Sequence, residues 1–296
     1  MHSLRNWFAV VPGGKSWSLG WSSGSLCLLL AALLIVSGHS CAAQAPAKAP
    51  ELAGIAHAAI RVSDLDKSRA FYLKLGFEQA FAMEQGGTTT QAFIKVNDRQ
   101  FLELYPKGQP SQPVGFMHVC FESADLEGLH RFYAEQGLSP SQVKRGGAGN
   151  MLFTMQGPEQ QNIEYSQYMP GSMHSLDRGK HLNANRIAEQ IVAVEIEMQN
   201  PAAALSFYRA QLGFSPASAF EPGQIWLGLP GQSGQQVEIA QHTEGSAVQL
   251  FFSVPDLQRT GARLKALHLT VEKRKSALTI QDPDGNRIVF VKSKPV

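Results

Sequence analysis

The chain has 296 residues, 44% of them hydrophobic and 17% charged, with a formal net charge of +2. That length accommodates two domains, and that composition belongs to a soluble globular protein. Acidic and basic residues are mixed and no Lys/Arg block stands out, which excludes an electrostatic case for nucleic acid or an anionic membrane as partner.

Arg5 and Lys15 precede an apolar run, LCLLLAALLIV, from Leu26 to Val36. The run is too short for a bilayer, which needs about 20 residues, and has the length of a signal-peptide core. Small residues in SGHSCAAQAPAKAP offer a cleavage site near Ala43. Residues 1–43 are therefore expected to be a signal peptide or N-terminal anchor, and 44–52 a linker. The expected location is the periplasm or outside the cell, with no membrane span in the mature protein. Cys41 leaves a lipid anchor open, although His39 and Ser40 make a poor lipoprotein box. Cys27, Cys41 and Cys120 are the three cysteines, and Cys27 lies inside the targeting segment. No intramolecular disulfide framework is available to the mature protein.

GIAHAAIRVSDLDKSRAFY, Gly54 to Tyr72, reads as a strand and then an amphipathic helix. Alternation puts Ala56, Ala58, Ile60 and Val62 on one strand face and His57 and Arg61 on the other. GFMHVCFESADLEGLHRFY, Gly115 to Tyr133, repeats it without gaps at an offset of 61 and places His118 where His57 stands. Asp64 and Asp125 fall at the helix N-caps. TQAFIKV, RQFLELY, GNMLFTM and QNIEYSQY follow as strand-like runs separated by turn residues. A third copy spans Gln190 to Phe214 and a fourth begins at Ser246. Each unit is βαβββ, about 60 residues long. One unit leaves a sheet face uncovered, so units pair. The fold class is α+β, with four βαβββ modules forming two cup-shaped domains. The first domain is 53–170 (modules 53–112 and 113–170) and the second 189–296 (modules 189–245 and 246–296). The polar stretch 171–188 between them reads as a linker.

Each of the first two modules ends with an acid inside an apolar strand, Glu103 in QFLELY and Glu164 in NIEYSQ. His57 to Glu103 and His118 to Glu164 are both 46 residues apart, a spacing that loop insertions would have destroyed unless the positions were equivalent. Burying two carboxylates together costs several kcal/mol, and a divalent cation removes that cost. Two neutral imidazoles and two carboxylates make a neutral site for one such ion. Mixed N/O ligands suit Ni, Co, Mn, Fe or Zn better than calcium. The second half is an internal control. The same count gives Ala193 and Gln249 for the histidines, and Glu238 and Val289 for the acids. Modules one and two must therefore share the site, and modules three and four form a degenerate, metal-free pair. Trp226, Phe251 and Phe252 either line an empty second cup or pack its core. Cys120 shares a strand face with His118, as a plain buried thiol or a soft neighbour of the metal.

HAAIRVSDLDKSRAFY, FLELY, HVCFESADLEGLHRFY, NIEY, FYRAQLGF and DPDGNRIVF together resemble the vicinal oxygen chelate superfamily of glyoxalases, bleomycin-resistance proteins and extradiol dioxygenases, over about residues 53–296. The His/Glu/His/Glu set is most similar to bacterial glyoxalase I. That resemblance implies a metal held by His57, Glu103, His118 and Glu164 that stabilises an enediolate, with Glu164 the first choice of base and Glu103 the alternative. It also implies that Arg61, four residues after the first ligand, binds substrate. Other expected glutathione contacts are missing: Lys107 and Val114 stand where an Asn and an Arg would be, and GPEQQNIEY replaces the DPDG turn. Lys144 and Arg145 can meet an anionic group or simply face solvent. The leading expectation is a metal-dependent lyase or isomerase acting beside a carbonyl of a small substrate. An Fe(II) extradiol-type dioxygenase is the second reading and a non-catalytic small-molecule-binding protein of resistance type the third. A homodimer stays open.

Overall fold

The computed structural model describes residues 48–218, 223–243 and 248–293. The apolar run Leu26–Val36 and Cys41 lie outside them. Among the described residues no helix is long and apolar enough to cross a membrane.

The first module is β1 (Gly54–Val62), α1 (Leu65–Lys74), β2 (Glu78–Gln85), β3 (Thr88–Asn97) and β4 (Gln100–Pro106). The second is β5 (Gly115–Glu122), α2 (Leu126–Glu135), β6 (Lys144–Arg145), β7 (Met151–Gln156) and β8 (Asn162–Gln167), with a 3₁₀ turn at Pro158–Gln160. After a short α3 (Met173–Leu176) the third contains β9 (Gln190–Met198), α4 (Pro201–Ala210), β10 (Ser215–Pro216), β11 (Ile225–Gly228) and β12 (Gln236–Gln241). The fourth has β13 (Gln249–Val254), α5 (Leu257–Ala266), β14 (Glu272–Lys273), β15 (Ala277–Gln281) and β16 (Arg287–Lys292). They form two eight-stranded sheets, ordered β2-β3-β4-β1-β5-β8-β7-β6 and β10-β11-β12-β9-β13-β16-β15-β14. Adjacent modules thus join through their first strands, β1 with β5 and β9 with β13, as the α+β reading with paired modules requires.

The four long helices start and stop alike because their local sequences do. Asp64, Asp125, Asn200 and Asp256 each accept a hydrogen bond from the backbone N–H three residues on, which satisfies an otherwise orphaned donor. At the other end of α1, Gly76 adopts φ +87°. Its N–H meets the carbonyl of Leu73, and the N–H of Phe77 meets that of Tyr72, the Schellman pattern. A Cβ on Gly76 would lie 2.5 Å from the Asn185 carbonyl, so glycine is demanded twice there.

Each sheet keeps one face for the core. Ala58, Ile60, Leu102, Leu104, Val119, Phe121, Ile163 and Tyr165 are buried there with Tyr72 and Tyr133 of the helices. The same apolar cluster continues into the second half. The halves are also cross-braced in approximate two-fold fashion. Gln100 donates to the carbonyls of Ile55 and Ile191, while Gln235 accepts from the Ile55 N–H. Asp284 accepts from Ser63 N at the start of α1, and Glu159 accepts from Gln199 N and Asn200 N at the start of α4. Carboxylates at helix N-termini are favoured by the helix dipole. Phe77 meets Phe252 at 5.7 Å, and Phe121 meets Phe214 at 5.6 Å.

The stretch expected to be a linker, 171–188, is instead packed structure. His174, Asp177, Ile187 and Ala188 are buried. Lys95 Nζ donates to the Asp177 carboxylate at 2.7 Å and to its carbonyl at 2.6 Å. Polarity misled here: the charge of Asp177 is buried against a lysine that comes from β3. In the expected linker 44–52, Leu52 is likewise buried, with its N–H on the Pro230 carbonyl.

Candidate metal centre

Strand alternation sends Leu102 and Leu104 into the core and Glu103 onto the opposite, concave face. It does the same for His57 on β1, His118 on β5 and Glu164 on β8. The ladder sets Ala59 opposite both Glu103 and His118, and Cys120 opposite both His57 and Glu164. The four predicted side chains therefore meet in one buried cluster. His57 Nε2 lies 3.1 Å from His118 Nε2 and 3.5 Å from Glu164 Oε1. His118 Nε2 lies 3.9 Å from Glu164 Oε2, and His57 Nδ1 lies 3.2 Å from Glu103 Oε1.

Glu103 is the clamped carboxylate. Gln91 Nε2 donates to its Oε2 at 2.6 Å and Tyr105 O–H donates to the same oxygen at 3.1 Å. His57 Nδ1 faces Glu103 Oε1, and its Nε2 faces His118 and Glu164. A carboxylate behind an imidazole is the usual support for a metal-ligating histidine. His57, Glu103 and His118 form one set of donors within 4.8 Å of each other, and His57, Cys120 and Glu164 form a second. Glu103 thus approaches His57 on its Nδ1 edge, while Glu164 approaches on the Nε2 edge. Cys120 Sγ donates to Ser166 Oγ at 3.3 Å and is buried.

The electrostatics of the bare cluster are unbalanced. Burial, then repulsion from Glu164, pushes Glu103 up to about 8. Burial pushes Glu164 up to about 7. Burial, then the neighbouring His118, holds His57 well below the usual imidazole value, and burial lowers His118 to about 4. Neutral imidazoles facing each other nitrogen to nitrogen beside two penned carboxylates are the donor set that a divalent ion completes. The residues fit the group.

The cluster opens on a cavity of about 140 Å³ roofed by Gly146, Gly147, Ala148 and the α3 segment. Among the described residues no lysine or arginine lines it. Arg61 faces a neighbouring groove with Thr88–Thr90 and Lys107, and donates to the Pro113 carbonyl at 3.3 Å. The structure does not bring it into this cavity. Arg145 donates to Gly149 O, and Lys144 acts on Glu164 only through its charge.

Sequence reasoning missed Gln91, Tyr105, Asn150, Tyr168 and His174, which also line the cavity. Tyr105 lies two residues after Glu103 on the same face, and Gln91 shares its strand face with Phe93, so period-two counting could have found both. His174 lay in the supposed linker and carried no periodic signal.

The second cup repeats the register of the first with other residues at the equivalent positions. Ala193 stands opposite Phe251 as His57 stands opposite Cys120. Glu238 stands opposite Glu195 as Glu103 stands opposite Ala59. Phe251 pairs with Val289 as Cys120 pairs with Glu164. Gln249 donates to Glu195 and accepts from Arg287. Trp226 and Phe251 pack at 5.0 Å with Ala193 and Val289 in a buried apolar cluster. Phe252 points to the opposite face, into the main core.

Two curled sheets, each built from paired βαβββ modules, with a His/Glu cluster on the concave face of the first, define a protein of the paired-module class with a candidate metal site. The chain matches the Glyoxalase/Bleomycin resistance protein/Dioxygenase superfamily over residues 54–165 and 190–290, and it belongs to that superfamily. No curated protein matches it in sequence. Among solved structures it is similar to the 2,3-dioxygenase LapB from Pseudomonas sp. KL28, with 18% identity, a TM-score of 0.66, and coverage of 83% of this chain and 94% of that one. It is similar to the homoprotocatechuate 2,3-dioxygenase from Brevibacterium fuscum in complex with 3,4-dihydroxyphenylacetate, with 17% identity, a TM-score of 0.62, and coverage of 84% and 83%. The Mn(II)-bound glyoxalase from Novosphingobium aromaticivorans gives 15% identity, a TM-score of 0.64, and coverage of 82% of each chain. At these identities the likeness is one of fold.

Proposed function

We propose that the first cup is a divalent-metal centre acting as a lyase or isomerase of glyoxalase type, moving a proton next to a carbonyl of a small substrate. One observation carries this: His57, Glu103, His118 and Glu164 meet in one cluster, and among the described residues no lysine or arginine lines the cavity it opens on. His57, His118 and Glu164, with Glu103, would hold the ion. Bound there, a metal supplies Lewis-acid polarisation of a chelated oxygen. The chain's own part is the proton. Glu164 is the more exposed carboxylate, with a side chain 15% exposed against 6% for Glu103. Glu103 is tied to Gln91 and Tyr105, so Glu164 is the carboxylate able to swing and carry the proton. The 140 Å³ cavity without lysine or arginine suits a small substrate with little anionic charge, and disfavours a glutathione adduct.

A second reading is supported by a different observation. His57 Nε2, His118 Nε2 and Glu164 face one another while Glu103 backs His57 from behind. A two-histidine, one-carboxylate set with open positions suits Fe(II) ring-cleaving oxygenation.

Elemental analysis of protein purified without chelator should find about one divalent ion per chain, and an absence of metal rejects both readings. Oxygen consumption with a catechol panel separates them. The lyase reading expects none, together with conversion of 2-oxoaldehydes that Glu164→Gln lowers by roughly 10²-fold or more.

A further inference from the structure

Cys120 is buried in the first cup and has no part in the proton transfer. It lies on β5 two residues after His118, and the ladder sets it opposite His57 on β1 and Glu164 on β8. Its Sγ, one ring nitrogen of His57 and one carboxylate oxygen of Glu164 all lie within 4.8 Å of one another. His57 Nε2 and Glu164 Oε1 are already 3.5 Å apart. Donors bound to one tetrahedral ion at about 2.0–2.3 Å stand about 3.3–3.8 Å from each other, so movements of about 1 Å close the set. Ser166 Oγ stands 3.3 Å from the sulfur. A hydroxyl that accepts from a thiol can rotate and donate to a thiolate. The two sides of the cluster differ in this respect. The residue of the first module equivalent to Cys120 is Ala59, which stands opposite Glu103 and His118. His57, Glu103 and His118 thus make a set of nitrogen and oxygen alone, and sulfur enters only beside Glu164.

We propose that Cys120 is a further metal donor, which gives the cluster a second, sulfur-containing set of His57, Cys120 and Glu164 for a thiophilic ion such as zinc or cadmium. The inference rests on the reading of this cluster as a metal centre, and it narrows which ions the cluster holds. A hard ion such as Mn(II) takes the histidine and carboxylate donors, whereas a soft ion gains from the thiolate. On binding, the S–H bond breaks, the sulfur electron pair goes to the ion, and the proton leaves to solvent. Such an ion also engages Glu164, the carboxylate assigned to the proton. The two donor sets share His57 and are therefore alternatives.

The test titrates the whole protein with Mn(II), followed by electron paramagnetic resonance, and with Cd(II), followed by the sulfur-to-cadmium charge-transfer band in the ultraviolet. Cys27→Ser with Cys41→Ser leaves Cys120 as the one thiol of the chain. That protein should show the band on taking up Cd(II). This arm needs no change at Cys120, so it decides the matter even where Cys120→Ser fails to fold. Adding Cys120→Ser should abolish the band and weaken Cd(II) binding by about 10- to 100-fold, with Mn(II) affinity unchanged. Cd(II) bound without the band, or with equal affinity after Cys120→Ser, overturns the inference and leaves the metal centre standing. Equal loss of Mn(II) and Cd(II) binding in folded Cys120→Ser assigns the thiol to packing and also overturns it. Failure of the parent to bind either ion is a separate result: it removes the metal reading and the inference with it.

Discussion

Glu103 and Glu164 occupy equivalent positions in two copies of one module, yet their surroundings give them different freedom. Glu103 has His57 on one oxygen and Gln91 and Tyr105 on the other. Glu164 instead has the Cys120 thiol beside it. The histidines and acids could be read from the chain because a 46-residue spacing recurred. The clamp could not, because nothing in a single Gln or Tyr distinguishes a hydrogen-bond donor to a ligand from an ordinary strand residue. Replacing Gln91 with Leu removes one of the donors that hold Glu103 beside His57. Metal affinity, measured by competition with a chromophoric chelator, should fall by about 10- to 100-fold, with the fold preserved by circular dichroism.

At the scale of elements, the repeat was legible because capping chemistry recurs. A side-chain cap opens every long helix and a left-handed residue closes it. The fourth helix breaks the pattern: His268 adopts φ +53° where Gly76, Gly137 and Gly213 stand after the other three. Its N–H bonds Lys265 O and the Leu269 N–H bonds Leu264 O, so the motif forms despite the Cβ. The left-handed conformation costs an L-residue about 1–2 kcal/mol, partly offset by the greater unfolded-state entropy of glycine. His268→Gly should therefore stabilise the protein by about 0.5–1 kcal/mol, read as a higher urea midpoint at unchanged slope. The segment 171–188 was misread because its polar residues find buried partners only on β3 and around the first cup, contacts that sequence spacing does not display.

For the whole molecule, the second domain is a brace with its own cup filled. Asp282 accepts from Tyr72 O–H and Asp284 caps the approach to α1, while Gln161 accepts from Tyr208 O–H and Glu159 caps α4. Each half thus completes the other's helices, and one apolar core runs through both. A fragment of residues 48–188 would expose Phe77 and Phe121 and lose these caps. It should melt at least about 10 °C below the whole chain, or aggregate, in calorimetry and size-exclusion chromatography. A fragment as stable as the parent would show that the halves are independent.

By itself the sequence determined the modules, their pairing and which pair carries the four ligand-type residues. Those features rest on local periodicity, capping and a preserved spacing, all of which are written along the chain. Tertiary structure alone decided that Arg61 faces another groove, that Glu103 is clamped by Gln91 and Tyr105, and that the supposed linker supplies His174 to the cavity wall. These depend on which distant side chains share a buried volume, and a polar residue takes its role from the partner that burial brings to it.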